Sequence, residues 1–219
     1  MIKLHGFPYS NYYNIVKMAL MEKGVEYEDV RIFTSQDEAM LAKSPMGKVP
    51  FMETEHGFLC ETSVMLDYIE DALPGPSFYP AEPFAKARVR ELIKFCELYL
   101  ELPARRCFGE VSFGGGPTPE ATKEEVLKTM QRGLRAVRQN ANFGPYLAGA
   151  ELTYADFVFL QTFPPACLVA KTLFEWDLFA DLPGASNLMD ILRARDTVKT
   201  IDADQKAGLQ EFKEAYGIR

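Results

Sequence analysis

The chain has 219 residues, 47% hydrophobic and 25% charged, which are the proportions of an ordinary soluble globular protein with room for one large domain or two small ones. Its net charge of −7, with no run of Lys or Arg, argues against nucleic acid as a partner. No uninterrupted apolar run approaches a membrane span, and the opening MIKLHGFPYS lacks the basic and apolar segments of a signal peptide.

The first part alternates strand and helix. A strand over Ile2 to Gly6 runs into a turn at Pro8, and a helix follows over Asn11 to Lys23, stopped by Gly24. Tyr27 to Arg31 is the next strand, and Gln36 to Ala42 a short helix. From Ser44 to Asp71 the pattern is loop, Pro-marked strand, turn, strand and helix. Lys48-Val49-Pro50-Phe51 opens the first strand, Glu55-His56-Gly57 turns, and Phe58-Leu59-Cys60 returns. The helix starts near Thr62, with Val64, Met65, Tyr68 and Ile69 at helical spacing. This unit ends near Leu73, and the Pro- and Gly-dense stretch over 74–83 is a linker.

Beyond it nearly every signal is helical. Phe84 to Phe108 is one long amphipathic segment, broken or kinked at Pro103. Phe113 to Pro119 is a glycine-rich loop. Thr118 is the expected N-cap and Pro119 the first residue of a helix reaching Asn140. Leu152-Thr153-Tyr154-Ala155-Asp156-Phe157 is a helix entry resembling a capping box, with Leu152 and Phe157 placed for a hydrophobic staple. That helix is expected to kink or stop at Pro164-Pro165. A later helix spans Asn187 to Arg195, and Val198 onward forms the tail. The expected division is 1–73 and 84–219.

Cys60, Cys96, Cys107 and Cys167 form no C-x-x-C pair, lie in apolar contexts, and fit buried free thiols in a reducing compartment. His5 and His56 are too few and too separate for a metal site, so no metal is expected.

The Pro-marked strand carries the first hint of chemistry. Pro50 cannot donate to a ladder, so it belongs at an edge or bend, where the backbone of Val49 can face outward. An unpaired edge beside a helix N-terminus suits an extended peptide that bears a carboxylate. Glutathione is such a ligand.

Gly47-Lys48-Val49-Pro50-Phe51, a short hairpin and then Glu61-Thr62 at a helix start resemble the glutathione-binding half of the cytosolic glutathione S-transferases. The second motif, Leu152-Thr153-Tyr154-Ala155-Asp156, resembles the family's buried helix start in its second domain. The resemblance covers the whole length. It implies an α/β plus all-α protein, with an N-terminal thioredoxin-like domain followed by a C-terminal helical bundle. It also implies a cis Pro50, a cytoplasmic homodimer, and glutathione as co-substrate.

On that resemblance Val49 pairs its main chain with the cysteinyl part of glutathione. Glu61 accepts from the γ-glutamyl ammonium, Thr62 holds the γ-glutamyl carboxylate, and Lys48 approaches the glycyl carboxylate or is simply exposed. The turn Phe7-Pro8-Tyr9-Ser10-Asn11-Tyr12-Tyr13 must supply the hydroxyl that stabilises the thiolate. Ser10, near the serine of the serine-type classes, is preferred over Asn11, then over Tyr9 and Tyr12; otherwise Ser10 only caps the helix. No Cys stands at 9–12, which argues against thioredoxin-like exchange. Tyr12, Tyr13, Tyr99, Arg106 and Phe113 are candidates for the electrophile site, and Trp176 for the core or rim of the bundle. The expected reaction is addition of glutathione thiolate to a small apolar electrophile. A maleylacetoacetate-type isomerase and a glutathione peroxidase remain open. So does a non-catalytic ligand-binding or RNA-polymerase-associated relative, although such relatives tend to lose these contacts.

Overall fold

A computed structural model describes residues 1–218. It divides into two compact units, Met1–Phe78 with Ala194–Gly217, and Tyr79–Arg193.

In the first unit the elements are β1 (Ile2–Gly6), α1 (Asn11–Lys23), β2 (Tyr27–Arg31), α2 (Glu38–Leu41), β3 (Phe51–Thr54), β4 (Gly57–Leu59) and α3 (Thr62–Ala72). The sheet order is β2-β1-β3-β4, with β1 parallel to β2 and both other pairs antiparallel. This is the small mixed sheet of a thioredoxin-like domain. Leu4 and Met52 are register partners and fully buried, as are Ile15, Val16, Leu20, Met65 and Ile69 of α1 and α3, so the core lies under those helices. On the opposite face, His5 stacks on Phe51 at 4.3 Å, and its Nε2 lies 3.2 Å from Glu53 Oε2. Gly24 closes α1 in the left-handed conformation (φ 69°), where a side chain would be strained, and the Val25 N–H reaches back to the Leu20 carbonyl.

Pairing of β3 starts only at Phe51, opposite His5. The strand is flanked on both sides, by β1 and β4, so of the edge or bend that the sequence allowed for Pro50 the edge is excluded. Pro50 lies at the strand's entrance, where no ladder donor is needed. The rim at Val49 is therefore the end of the sheet, not its side.

The second unit contains α4 (Pro83–Cys96), a π-helical turn (Glu97–Glu101), α5 (Leu102–Arg105), α6 (Phe108–Ser112), α7 (Glu120–Asn140), α8 (Tyr154–Phe174), α9 (Leu178–Asp181) and α10 (Gly184–Arg193). Pro103 does disturb the long segment. The preceding turn loosens, and the Leu102 N–H bonds the Glu97 carbonyl five residues back. Gly133 of α7 abuts this turn: a Cβ there would lie 2.5 Å from the Tyr99 carbonyl oxygen.

Three expectations change in this unit. Helix α7 begins at Glu120 with Pro119 as cap, and the Thr118 N–H instead bonds Glu110 Oε2 at 2.8 Å. Of the kink or stop expected at Pro164-Pro165, helix α8 does not stop: it runs on to Phe174. The carbonyls of Leu160 and Gln161 lose their i+4 donors there, but Phe157, Phe159, Phe163, Ala166, Val169 and Ala170 are fully buried around that point and hold the helix together. Helix α8 is also long and apolar enough to cross a bilayer, with mean hydropathy 1.4, yet 56% of its most apolar window is buried within the protein, as for a core helix.

The capping box at its start is present. Asp156 is fully buried. Its Oδ2 accepts from the Thr153 N–H at 2.8 Å and from Thr153 Oγ1 at 2.9 Å, and its Oδ1 accepts from the Leu147 N–H at 2.7 Å. Burial outweighs these bonds and pushes the carboxyl up to about 6.

The expected tail is a helix, α11 (Asp196–Ala215), and it packs with the first unit instead of the helical one. Lys17 reaches Asp204 at 2.8 Å, Arg195 reaches Glu22 at 2.6 Å and Arg31 reaches Glu211 at 2.8 Å, while Val198, Ile201 and Phe212 are buried. The 84–219 division therefore differs from the packing over 194–217.

Candidate functional site

The strand register gathers the singled-out segments at one end of the sheet. The partners His5↔Phe51 and Met52↔Leu59 put the end of β1, the start of β3 and the end of β4 side by side. The turn Phe7–Ser10, the Val49-Pro50 pair and the Glu61-Thr62 pair are the residues that continue from those three strand ends. The sequence scatters them over residues 7–62; the antiparallel pairing brings them together.

Ser10 is the N-cap of α1 (φ −79°, ψ 117°), and its Oγ accepts from the Tyr13 N–H at 3.3 Å. The hydroxyl hydrogen is not used by that bond, so capping and donation to a thiolate are compatible. The turn is braced from beneath: Asn14 is fully buried and its Nδ2 donates to the Pro8 carbonyl at 2.9 Å. Neither Asn14 nor its orphaned, buried Oδ1 was legible in the sequence. Tyr9 stacks on Phe212 at 4.6 Å, and Phe7 lies between Phe33 at 4.9 Å and Phe212 at 5.7 Å. An aromatic cluster with two members from α11 (or just past its end, in Tyr216) thus flanks the turn.

The Val49–Pro50 bond is cis. Among the described residues, neither the N–H nor the C=O of Val49 has a backbone partner. Lys48 is exposed, but its main chain is fixed: Ser44 Oγ donates to its carbonyl at 2.7 Å and receives its N–H at 3.3 Å. Ser44 is a support that sequence reasoning missed. Gly47 (φ 63°) completes this loop, with the Ser35 backbone so close that no Cβ fits.

Glu61 is exposed and has φ 66°, a strained value for a residue with a side chain. It precedes α3, and Thr62 is the first helical residue, 7% exposed. The Glu61 side chain makes no cap bond to that helix, so α3 starts uncapped by its N-cap residue. A strained acid beside a helix N-terminus suits a ligand terminus that carries both an ammonium and a carboxylate.

Comparison with known proteins bears on the family. The family pattern described as "Glutathione S-transferase, N-terminal domain" matches residues 4–77, and that described as "Glutathione S-transferase, C-terminal domain" matches 111–200. A glutathione S-transferase of Pseudomonas putida is 45% identical over 214 residues, covering 98% of this chain and 97% of the relative. The chain belongs to the glutathione S-transferase family. Among solved structures, a glutathione transferase of Populus trichocarpa has a TM-score of 0.77 at 20% identity, covering 95% of this chain and all of the other. A glutathione S-transferase of Methylobacillus flagellatus, solved with glutathione bound, has a TM-score of 0.76 at 19% identity, covering 92% and 98%. Both share the fold. As a glutathione S-transferase, the protein is an enzyme that uses glutathione as co-substrate.

The glutathione S-transferase fold does not place all five electrophile candidates on a surface. Tyr13 is fully buried under β1, with its ring against Gly6, and among the described residues its hydroxyl has no hydrogen-bond partner. Burial, with Asp29 nearby, pushes that phenol up, so it is a core residue and neither lines a site nor ionises. Tyr12 is half-buried in the first turn of α1. In the helical unit, Tyr99 is 43% exposed on the π-helical turn, and Phe113 meets Phe108 edge-on at 6.1 Å. Both terminal nitrogens of Arg106 lie 3.0 Å from Glu125 Oε2, so its charge is spent on an exposed ion pair. All four cysteines are free; Cys96 and Cys107 are buried, whereas Cys60 and Cys167 are only half-buried. Burial pushes the thiols of Cys96, Cys107 and Cys167 up, the last to about 12, so none of these three is a nucleophile at neutral pH.

Proposed function

We propose that the end of this sheet binds glutathione in extended form and keeps its sulfur ionised, with Ser10 as the hydroxyl donor. The observation that carries the reading is the main chain of Val49, which has no backbone partner among the described residues and is set between the Ser10 turn and the N-terminus of α3. Val49 N–H and C=O pair with the cysteinyl unit. Glu61 receives the γ-glutamyl ammonium, while Thr62 and the first N–H groups of α3 hold the adjoining carboxylate. Lys48, on its Ser44-braced backbone, faces the glycyl carboxylate.

A thiol of pKa about 8.5 is only a few per cent ionised at neutral pH, and lowering it by about 2 units requires roughly 2.7 kcal/mol in favour of the anion. One hydroxyl hydrogen bond to a charged acceptor supplies about 1.5–3 kcal/mol, and the N-terminus of α1 adds about 0.3–1 kcal/mol. Ser10 at that N-terminus delivers both. Asn11, the first residue of α1, is the next choice; Tyr9 is turned to Phe212 and is a poorer one. The thiolate then adds to the carbon of a small apolar electrophile, forming the C–S bond as the leaving group or the π electrons depart.

The protein works as a homodimer in the cytoplasm, as is usual for such transferases. The retained set of Val49, Pro50, Glu61 and Thr62 favours a catalytic transferase over a regulatory relative.

The test is the ultraviolet absorbance of bound thiolate as a function of pH. Native protein and Ser10→Thr should show the thiolate forming about 2 pH units below free glutathione. Ser10→Ala should return it most of the way. An unchanged thiolate in Ser10→Ala would move the role to Asn11 or Tyr9.

A further inference from the structure

Helix α11 lays one stripe against the first unit. Val198, Ile201, Asp204, Gly208 and Phe212 follow one another at intervals of three or four residues, and all but Asp204 are buried. The last three each have a fixed seat. Asp204 takes Lys17 of α1 at 2.8 Å, and that buried ammonium also reaches Asp29 of β2 at 3.4 Å. Phe212 stacks on Phe7 and Tyr9. Between these two, Gly208 faces the ring of Pro8: a Cβ there would lie 3.2 Å from Pro8 Cβ, 3.4 Å from Cγ and 3.5 Å from Cδ.

Pro8 governs the turn that delivers Ser10. The Ser10 N–H donates to the Phe7 carbonyl at 3.0 Å, so Pro8 and Tyr9 are the two central residues of that turn. Pro8 is buried and has little room to retreat. Its carbonyl is held by Asn14 Nδ2, and Phe7 before it is packed between Phe33 and Phe212. Helix α11 is tied in its turn by Lys17–Asp204, Glu22–Arg195 and Arg31–Glu211. A methyl group at 208 therefore forces one of two pinned elements to shift by a few tenths of an ångström.

The helix itself gives no reason for a glycine at 208. The residue has ordinary helical backbone, and glycine inside a 20-residue helix weakens it relative to alanine. The contact with Pro8 does give a reason. We propose that Gly208 is a positioning residue of the transferase: lacking a side chain, it lets α11 seat on Pro8, and so fixes through the turn the direction in which the Ser10 hydroxyl points. The inference rests on the reading of Ser10 as the thiolate donor. It makes the last helix of the chain act on the sulfur without touching it.

The experiment records the ultraviolet absorbance of bound glutathione thiolate against pH, and urea unfolding, for native protein, Gly208→Ala, Ala203→Gly and Ser10→Ala. Ala203 is exposed on the same helix, and none of these changes removes an ion pair named above. Gly208→Ala should raise the pH of thiolate formation by about 0.5–1 unit, a loss of roughly three- to tenfold in thiolate at a fixed low pH. Its urea midpoint should fall no further than that of Ala203→Gly. Ala203→Gly should lower the midpoint and leave the thiolate where it is in native protein, because a merely looser helix does not move Pro8. A native thiolate profile in Gly208→Ala overturns the proposal, and so does an equal thiolate shift in Ala203→Gly. Ser10→Ala reports separately on the donor. If it leaves the thiolate unmoved, the Ser10 reading fails; a shift in Gly208→Ala then still upholds Gly208, acting through Asn11 or Tyr9 of the same turn, and no shift overturns both.

Discussion

Asp156 offers a sharp test because two large effects oppose each other there. Three hydrogen bonds favour its carboxylate, and complete burial disfavours it. Burial wins, pushing the carboxyl up to about 6 from its ordinary 3.8. A rise of about 2 units means that the charge is disfavoured by about 3 kcal/mol at neutral pH. Because the folded value lies above the unfolded one, the folded state holds the extra proton between the two. Stability from this group is therefore full in acid and is lost as pH rises through about 4 to 6. Between about pH 7 and about pH 5 native protein should gain about 1.3 kcal/mol relative to Asp156→Asn, which does not titrate. The comparison with the variant cancels groups that titrate in the opposite sense, such as Glu22, held low against burial by Arg195 and Thr197, and His5, lowered by burial. Urea unfolding followed by Trp176, which lies in the same helical unit, measures it; with a slope of about 3 kcal/mol/M the relative midpoint moves by about 0.4 M. A gap that stays constant, or that moves in favour of Asp156→Asn on acidification, would show that the hydrogen bonds dominate and that the reasoning on burial is wrong.

Gly133→Ala forces a Cβ to within 2.5 Å of the Tyr99 carbonyl oxygen, and should lower stability by about 1–3 kcal/mol in the same urea assay. Glu61→Ala removes the partner of the γ-glutamyl ammonium; loss of about 1.5–3 kcal/mol means roughly ten- to a hundredfold weaker glutathione binding by calorimetry, with the fold retained by circular dichroism. Asn14→Ala releases the Pro8 carbonyl and loosens the turn that carries Ser10, so the thiolate of bound glutathione should require higher pH, while Glu61-dependent affinity changes little. Phe212→Ala empties a buried place against Phe7 and Tyr9 and should cost about 3–5 kcal/mol in thermal or urea unfolding.

Local chemistry made much of the molecule legible. The bounds of β1, α1 and β2 follow from alternation, from Ser10 and from Gly24, all of which act on their immediate neighbours. The capping box at Thr153 is visible for the same reason. What was missed depends on partners distant in sequence. Whether β3 is an edge depends on β1 and β4 both pairing with it, which no window around Pro50 contains. Helix α8 passes two prolines because surrounding side chains bury it. The final helix joins the first unit through Lys17–Asp204 and Glu22–Arg195, pairs separated by more than 170 positions. At the candidate site, Ser10, Val49, Glu61 and Thr62 were singled out through the family resemblance, whereas Ser44 and Asn14, which brace the neighbouring Lys48 and Pro8 backbone, are ordinary polar residues until the chain is folded. Tyr13 misled because a tyrosine in an active-site turn can face inward as well as outward.

The most direct measurement is isothermal calorimetry of native protein with glutathione. One tripeptide should bind per chain, with release of heat at millimolar ligand or below, and γ-glutamyl truncation to cysteinylglycine should abolish it. Folded protein that gives no heat of binding, or that binds cysteinylglycine equally well, would contradict the claim that Val49, Glu61 and Thr62 together form the cradle.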